Sequence, residues 1–141
     1  DFQKSCQKIF GYDYAHEKLK GLRDLFIGLK TGYFYRLNSD AVKAGNAVAT
    51  AKYGGVRGND LGVSIQADPD NSGKYVVTTY LTSDGVRKVV AEQRNIGVIS
   101  DIASNDYVDF KSSAQLTATA YTPLTGGSNG AAITAQTTKM D

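Results

Sequence analysis

With 141 residues, the chain has the length of one domain, or of one domain with part of another. It carries 16 Lys and Arg against 14 Asp and Glu, and the small net charge of +2, without a basic stripe, speaks against nucleic-acid binding. The single cysteine, Cys6, excludes an internal disulfide framework and fits a reducing compartment, and no apolar run approaches the roughly 18 residues of a membrane span.

Residues 1–40 predict a partial α/β segment of a neighbouring domain, in the order β-α-β. Residues 2–10 fit a short strand, Asp13 is the predicted N-cap of a helix over residues 15–30, and residues 33–37 fit an aromatic strand. The apolar positions of the helix recur at three- and four-residue spacing: Leu19, Leu22, Leu25, Phe26 and Leu29. Because two strands and one helix cannot close a core, and because the chain lacks an initiator Met, we expect it to be cut from a longer protein.

The polar, small-residue stretch over residues 38–46 predicts a linker, and a β-sandwich domain is predicted over residues 47–124. Short alternating segments predict about six strands there, over residues 47–53, 61–66, 74–81, 86–93, 107–110 and 116–121. Residues 68–73 and 83–85 predict tight turns between strands. The expected fold class is therefore α+β, with an antiparallel sandwich or small barrel after the β-α-β segment. Residues 125–141 predict a Gly/Thr-rich linker to a following domain.

Two glycine-rich stretches border the strand-rich block and predict sharp reversals with positive φ. The first contains Gly54, Gly55, Arg57, Gly58, Asn59 and Asp60, and the second contains Pro123, Gly126 and Gly127. Arg57 is predicted to pair with a carboxylate, either Asp60 or one on a neighbouring subunit. Between the stretches lies a strand that begins at Asn105 and Asp106.

Catalytic and metal sites are not predicted, and we expect neither enzymatic activity nor a cofactor. His16 is the only histidine and is best interpreted as a surface or capping residue, and Cys6 as a buried or bystander cysteine. The turn at Asp68 and Asp70 resembles the start of a calcium-binding EF-hand loop, but Thr79 stands where the bidentate Glu belongs. A plain turn is the better interpretation.

Tyrosines are the remaining anomaly, since the chain has nine of them and no tryptophan. Tyr12, Tyr14, Tyr33 and Tyr35 lie in the first segment, where an apolar ring with a polar tip suits an interface. Alternatively, Tyr33 and Tyr35 simply face one side of a strand that packs on the helix.

Several strings together resemble contractile phage tail sheath proteins, of the PBSX-like type found in Gram-positive phages and prophages. They are Gly-Val-Arg-Gly-Asn-Asp at residues 55–60, Asn-Asp-Tyr-Val-Asp-Phe at 105–110 and Thr-Pro-Leu-Thr-Gly-Gly at 122–127. The likeness extends to Lys-Ile-Phe-Gly-Tyr-Asp at 8–13, His-Glu-Lys-Leu-Lys at 16–20 and Phe-Tyr-Arg-Leu-Asn at 34–38. It covers residues 2–130, whereas residues 131–141 are poorer in apolar side chains than the helix expected there.

The resemblance implies a structural subunit that polymerises with other sheath subunits into rings around the tail tube. Such a sheath is assembled in the host cytoplasm, becomes part of the virion, and contracts on a baseplate signal to drive the tube through the host envelope. No nucleic acid, membrane or nucleotide is implied, and this chain alone is expected to be monomeric.

Two alternatives stay open. The same sheath could belong to a contractile bacteriocin or injection particle. The sandwich could also be an outward-facing, adhesive domain that binds glycans. Exposed aromatic rings on one sandwich face would favour the glycan alternative, and the candidates are Tyr75, Tyr80, Tyr107 and Tyr121.

Overall fold

The computed structural model describes residues 3, 6, 10, 12–33 and 40–131. The chain divides into two compact units, Asp1–Leu37 and Asn38–Asp141, each treated by itself below. Among the described residues, none of the helices has the length and apolar character needed to cross a bilayer.

The first unit is helical where a strand was predicted. Gln3, Cys6 and Phe10 all lie in helix, so the predicted strand over residues 2–10 is wrong. Cys6 is buried and Gln3 exposed, a contrast that a helix produces at this spacing. The sequence signal was the four-residue interval between Cys6 and Phe10, which places both residues on one helical face. Four of the residues predicted to form the second strand, 34–37, lie outside the described residues.

Helix α1 of the first unit spans Lys20–Gly28 and follows a 3-10 turn, Glu17–Leu19. The prediction of Asp13 as the N-cap is wrong. The N-cap of the 3-10 turn is His16, whose Nδ1 accepts a hydrogen bond from the Lys18 amide at 3.1 Å. The wrong prediction came from the preference for Asp at N-caps. His16 satisfies the amide with a ring nitrogen instead.

The apolar stripe of this helical stretch is only partly covered. Leu19 is 3% exposed, whereas Leu25 is 47%, Leu29 45% and Ile27 85% exposed. A helix of nine residues gains most of its stability from packing of its apolar face. The described part of the first unit therefore leaves apolar surface that a larger assembly could bury.

Over residues 40–131, the second unit forms six strands in two separate sheets, which confirms the predicted sandwich and excludes the barrel. They are β1 Ala49–Ala51, β2 Leu61–Ala67, β3 Tyr75–Ser83, β4 Val86–Ile96, β5 Val108–Phe110 and β6 Thr119–Pro123. One antiparallel sheet has the order β4-β3-β2-β6, and a smaller one pairs β1 with β5. Both predicted hairpin turns are present: Gly73 has φ 75°, and Asp84 and Gly85 have φ 52° and 76°.

The core of the second unit lies between the two sheets. Val63 and Ile65 of β2 and Val77 of β3 are each 1% exposed, and Val108 of β5 is fully buried in the same apolar cluster. Because side chains alternate along β2, Val63 and Ile65 face the core, while Gly62 and Ser64 face the other side of the sheet. Two thin sheets thus share one core, as expected for a sandwich.

Candidate functional site

The chain enters and leaves the sandwich side by side, on two antiparallel segments that we call the stem (residues 40–45 and 124–130). Val42 and Ser128 exchange two backbone hydrogen bonds, of 2.9 and 3.2 Å. Gly45 and Thr125 exchange two more, of 2.8 and 3.1 Å. The structure thus differs from the predicted linkers over residues 38–46 and 125–141, because the described parts of both are paired within the second unit.

The first glycine-rich stretch makes further hydrogen bonds to both segments of the stem. The Gly55 amide donates to the Val42 carbonyl at 3.0 Å, and the Val56 amide donates to Oδ1 of Asn129 at 3.2 Å. The Asn59 carboxamide pairs twice with the backbone of Gly127: its Nδ2 donates to the carbonyl and its Oδ1 accepts from the amide, both at 2.8 Å. The structure therefore brings the two predicted glycine-rich stretches together.

Glycines in these stretches serve two different purposes. Gly55, with φ 128°, and Gly126, with φ 81°, have the positive φ that was predicted. Three others make room for neighbours: a Cβ would lie 2.4 Å from the Ala41 carbonyl O at Gly54, 2.8 Å from the Ala44 Cβ at Gly58, and 2.6 Å from the Gly55 carbonyl O at Gly127. Close approach was not predicted for any of these three.

Polar and proline residues of the same stretches hold local geometry. Arg57 pairs with Asp60, Nη1 to Oδ2 at 2.9 Å, which is the nearer of the two predicted partners. Both side chains remain about a third exposed, at 34% and 40%, so the pair contributes little to stability on its own. Pro123 ends β6, an edge strand, where the missing amide costs no ladder bond.

Asn105 anchors the start of β5. Its Oδ1 accepts from the amides of Tyr107 and Val108 at 2.9 and 3.0 Å, and its Nδ2 donates to Oγ1 of Thr79 at 3.0 Å. The side chain thereby ties the smaller sheet to β3. Asp106 is exposed, and its negative charge helps to raise the pKa of Lys52. The largest cause of that shift is the hydrogen bond from Lys52 to Asp109.

The tyrosines of the first unit are held by different contacts. The Tyr12 ring lies 4.3 Å from the His16 ring, and its hydroxyl accepts from Nζ of Lys18 at 3.1 Å. The Tyr14 carbonyl accepts from Arg23 at 2.7 Å. Tyr33 is 99% exposed, and Tyr35 lies outside the described residues.

The four candidate glycan-binding tyrosines do not form one platform. Tyr75 and Tyr107 pack against the core. Tyr80 and Tyr121 meet edge to face at 5.5 Å on the opposite side of the larger sheet. The Arg87 guanidinium lies 3.4 Å from the centre of the Tyr121 ring and covers it. All four rings are half-buried and lie on two different faces, so they do not form one continuous aromatic surface.

The Asp68 carboxylate sits at the β2–β3 turn and is only 6% exposed. Hydrogen bonds from the Asp70 amide, the Asn71 side chain and the Asn95 amide lower the pKa of this carboxyl. Its oxygens thus bind the turn to the end of β4. Within the described ranges, no three His, Cys, Asp or Glu side chains come close enough to hold a metal ion.

Sequence reasoning missed the pairing of the two stem segments. The stretches concerned are polar and rich in small residues, which predicts linkers, and they contain Val42, Gly45, Ser128 and Asn129. Such composition is typical of loops. The single useful signal was Gly45-Asn46, a turn pair directly before a predicted strand.

The comparisons with known proteins cover most of the chain. Residues 36–129 match the family described as the phage tail sheath protein beta-sandwich domain. Two proteins of Bacillus subtilis (strain 168) are similar: the uncharacterized protein YqbK, 34% identical, and the phage-like element PBSX protein XkdK, 31% identical, each over 87% of this chain. The chain spans about a quarter of the length of both, 26%.

Solved structures agree with these relatives. A sheath tail protein from Desulfitobacterium hafniense is 35% identical with a TM-score of 0.74, over 89% of this chain and 30% of that one. A sheath tail protein from Listeria innocua is 33% identical with a TM-score of 0.76, over 92% of this chain and 30% of that one. The matched family covers more than half of the sequence, and the chain therefore belongs to the phage tail sheath proteins, with its second unit forming their β-sandwich domain.

Proposed function

We propose that the chain is part of a contractile tail sheath subunit that polymerises with identical subunits around the tail tube. On a signal from the baseplate, the sheath shortens and drives the tube through the host envelope. The observation that carries this proposal is the match of nearly the whole chain to two solved sheath tail proteins, at TM-scores of 0.74 and 0.76.

In this proposal the chain supplies the sandwich, not the contacts that build the lattice. It spans 30% of each solved sheath tail protein, so most of a subunit of that length lies elsewhere. The second unit encloses its own core, whereas the first leaves Ile27 85% and Tyr33 99% exposed. We assign the first unit to a neighbouring domain, and its exposed Tyr33 to a contact with another domain of the same subunit.

The stem supports a role as an outward-lying module. Both chain crossings occupy one end of the sandwich, since a Cβ on Gly130 would lie 3.0 Å from the Asp40 amide nitrogen. A domain attached at one end leaves its remaining surface free to face solvent. The proposed role of the domain is the same in the sheath of a phage tail and in that of a contractile particle without a genome.

Negative-stain electron microscopy tests the proposal. We expect hollow tubes or stacked rings from a full-length sheath protein that carries this sequence, and monomers from the 141-residue chain. Co-expression with the tail tube protein supplies the template for assembly. If the full-length protein stays monomeric even on assembled tubes, the proposed function is wrong.

A further inference from the structure

The stem has more connections than a flexible linker would need. Its two segments share four backbone hydrogen bonds, at the Val42–Ser128 and Gly45–Thr125 pairs. At the base of the stem, Ala44 and Leu124 are both fully buried in the core of the sandwich. The stem is therefore continuous with the packed domain at its inner end.

One side chain of the first glycine-rich stretch, that of Asn59, then fixes the outer half of the stem. The Asn59 carboxamide copies the pairing of a β-strand neighbour, with one bond donated to and one accepted from Gly127. Asn59 itself is exposed, so it fills no space in the core. Its contribution is one of orientation, because both bonds act on a single backbone residue of the stem.

Space around the stem is closed as well. A Cβ on Gly127 would also come within 3.0 Å of the Ala44 Cβ, and one on Gly130 within 3.0 Å of the Asp40 amide nitrogen. The strands can approach this closely only because glycine lacks a side chain. Such contact leaves little room for the segments to slide or swivel.

We infer that the stem is a rigid coupling, and that Asn59 is the positioning residue that locks its orientation on the sandwich. The sandwich would then move as one body with the backbone at residues 40 and 130, with no hinge at the stem. This inference concerns the domain alone and holds whether or not the domain works in a contracting sheath.

Amide hydrogen exchange and heteronuclear NOE measurements on the 141-residue chain test it. In the unchanged protein, the amides of Val42, Gly45, Thr125 and Ser128 should be as ordered as those of β2 and β3. In Asn59→Ala, exchange at Thr125, Gly127 and Ser128 should rise about tenfold, because two hydrogen bonds are lost locally. Amides of β2 and β3 should keep their rates.

Two further variants separate orientation from general stability. Asn59→Asp keeps an acceptor for the Gly127 amide but sets an oxygen against its carbonyl, so it should loosen the stem as Asn59→Ala does. Asn71→Ala, an exposed asparagine at the far end of β2, is the matched control and should leave the stem unchanged.

Three results would overturn the inference. One is stem amides that exchange as fast as the exposed turn at Asp84 and Gly85 in the unchanged protein. Another is an Asn59→Ala variant with unchanged exchange at residues 125–128. The third is a uniform rise across β2 and β3, which would make Asn59 an ordinary contributor to stability and not a positioning residue.

Discussion

Asn59 and Gly127 lie 68 residues apart in sequence and meet through two hydrogen bonds of 2.8 Å, one in each direction. A side chain here takes the place of a neighbouring strand. A Cβ on residue 127 would lie 3.1 Å from Oδ1 of Asn59 and 2.6 Å from the Gly55 carbonyl O, and the approach to backbone is the reason that glycine is needed there. The two stretches with the strongest turn signals are therefore two halves of one structure.

Gly127→Ala should destabilise the second unit more than Gly126→Ala does. At Gly127 a Cβ would lie 2.6 Å from the Gly55 carbonyl O, so backbone must shift, at a cost of about 2–3 kcal/mol. At Gly126 the surroundings are open and only the φ of 81° is unfavourable, at about 1 kcal/mol. Urea denaturation of both variants measures the difference, and equal costs would contradict the close approach.

Gly62→Ala should displace the Tyr121 ring, because a Cβ at residue 62 would lie 2.3 Å from its Cε2 atom. We expect a cost of about 2 kcal/mol in the unchanged background. In a Tyr121→Ala background the same substitution should cost less than about 0.5 kcal/mol, since the ring is gone. A double-mutant cycle by chemical denaturation gives the coupling, and additive costs would show that the ring does not depend on Gly62.

Stability at acid pH should depend on Asp68. Its pKa is lowered in the folded protein, mainly by the hydrogen bond from the Asp70 amide. The stabilising contribution is therefore complete above the unfolded-state pKa of about 3.9 and is lost as the pH falls through the lower folded value.

Asp68→Asn should accordingly flatten the fall in melting temperature between about pH 5 and pH 2, while lowering the melting temperature at neutral pH. Asp84→Asn, at the exposed hairpin tip, is the control and should follow the unchanged protein. Thermal melts followed by circular dichroism provide the curves. Parallel curves for Asp68→Asn and the unchanged protein would rule out a special role for this carboxylate.

Val108→Ala tests whether the two sheets share one core. Val108 lies on β5 of the smaller sheet and is fully buried, so removing two methyl groups should cost about 2 kcal/mol. Val89→Ala, on a side chain that is 56% exposed, should cost less than about 0.5 kcal/mol. If Val108→Ala were as mild as Val89→Ala, the smaller sheet would not be part of the cooperative unit.

Local patterns were enough to predict the six strands and both hairpins. The alternation of Leu61, Val63 and Ile65 with small or polar residues shows which face of β2 is buried, and Asp84-Gly85 has the residue types that a tight hairpin turn needs. These signals act over a few residues, and the structure keeps them. The choice between sandwich and barrel needed the pairing of β1 with β5, which no local pattern encodes.

Long-range contacts could not be predicted in the same way. The role of Gly54 depends on Ala41, and that of Gly127 on Gly55, so each glycine looked like a turn residue when read alone. The prediction of a strand over residues 2–10 failed for another reason. The apolar residues before Gly11 fit both the two-residue period of a strand and the period of a helix. In both cases the missing information was what packs against the segment.

The proximity of Asp40 and Gly130 has a consequence for circular permutation of the domain. Since a Cβ on Gly130 would lie 3.0 Å from the Asp40 amide nitrogen, a short link from residue 130 to residue 40 would close the polypeptide into a ring at a small cost in loop entropy. New ends could then be opened between Asp84 and Gly85, where the hairpin tip is exposed and the space around Gly85 is empty. Such a circular permutant would keep every strand in place while the chain begins at the hairpin between β3 and β4.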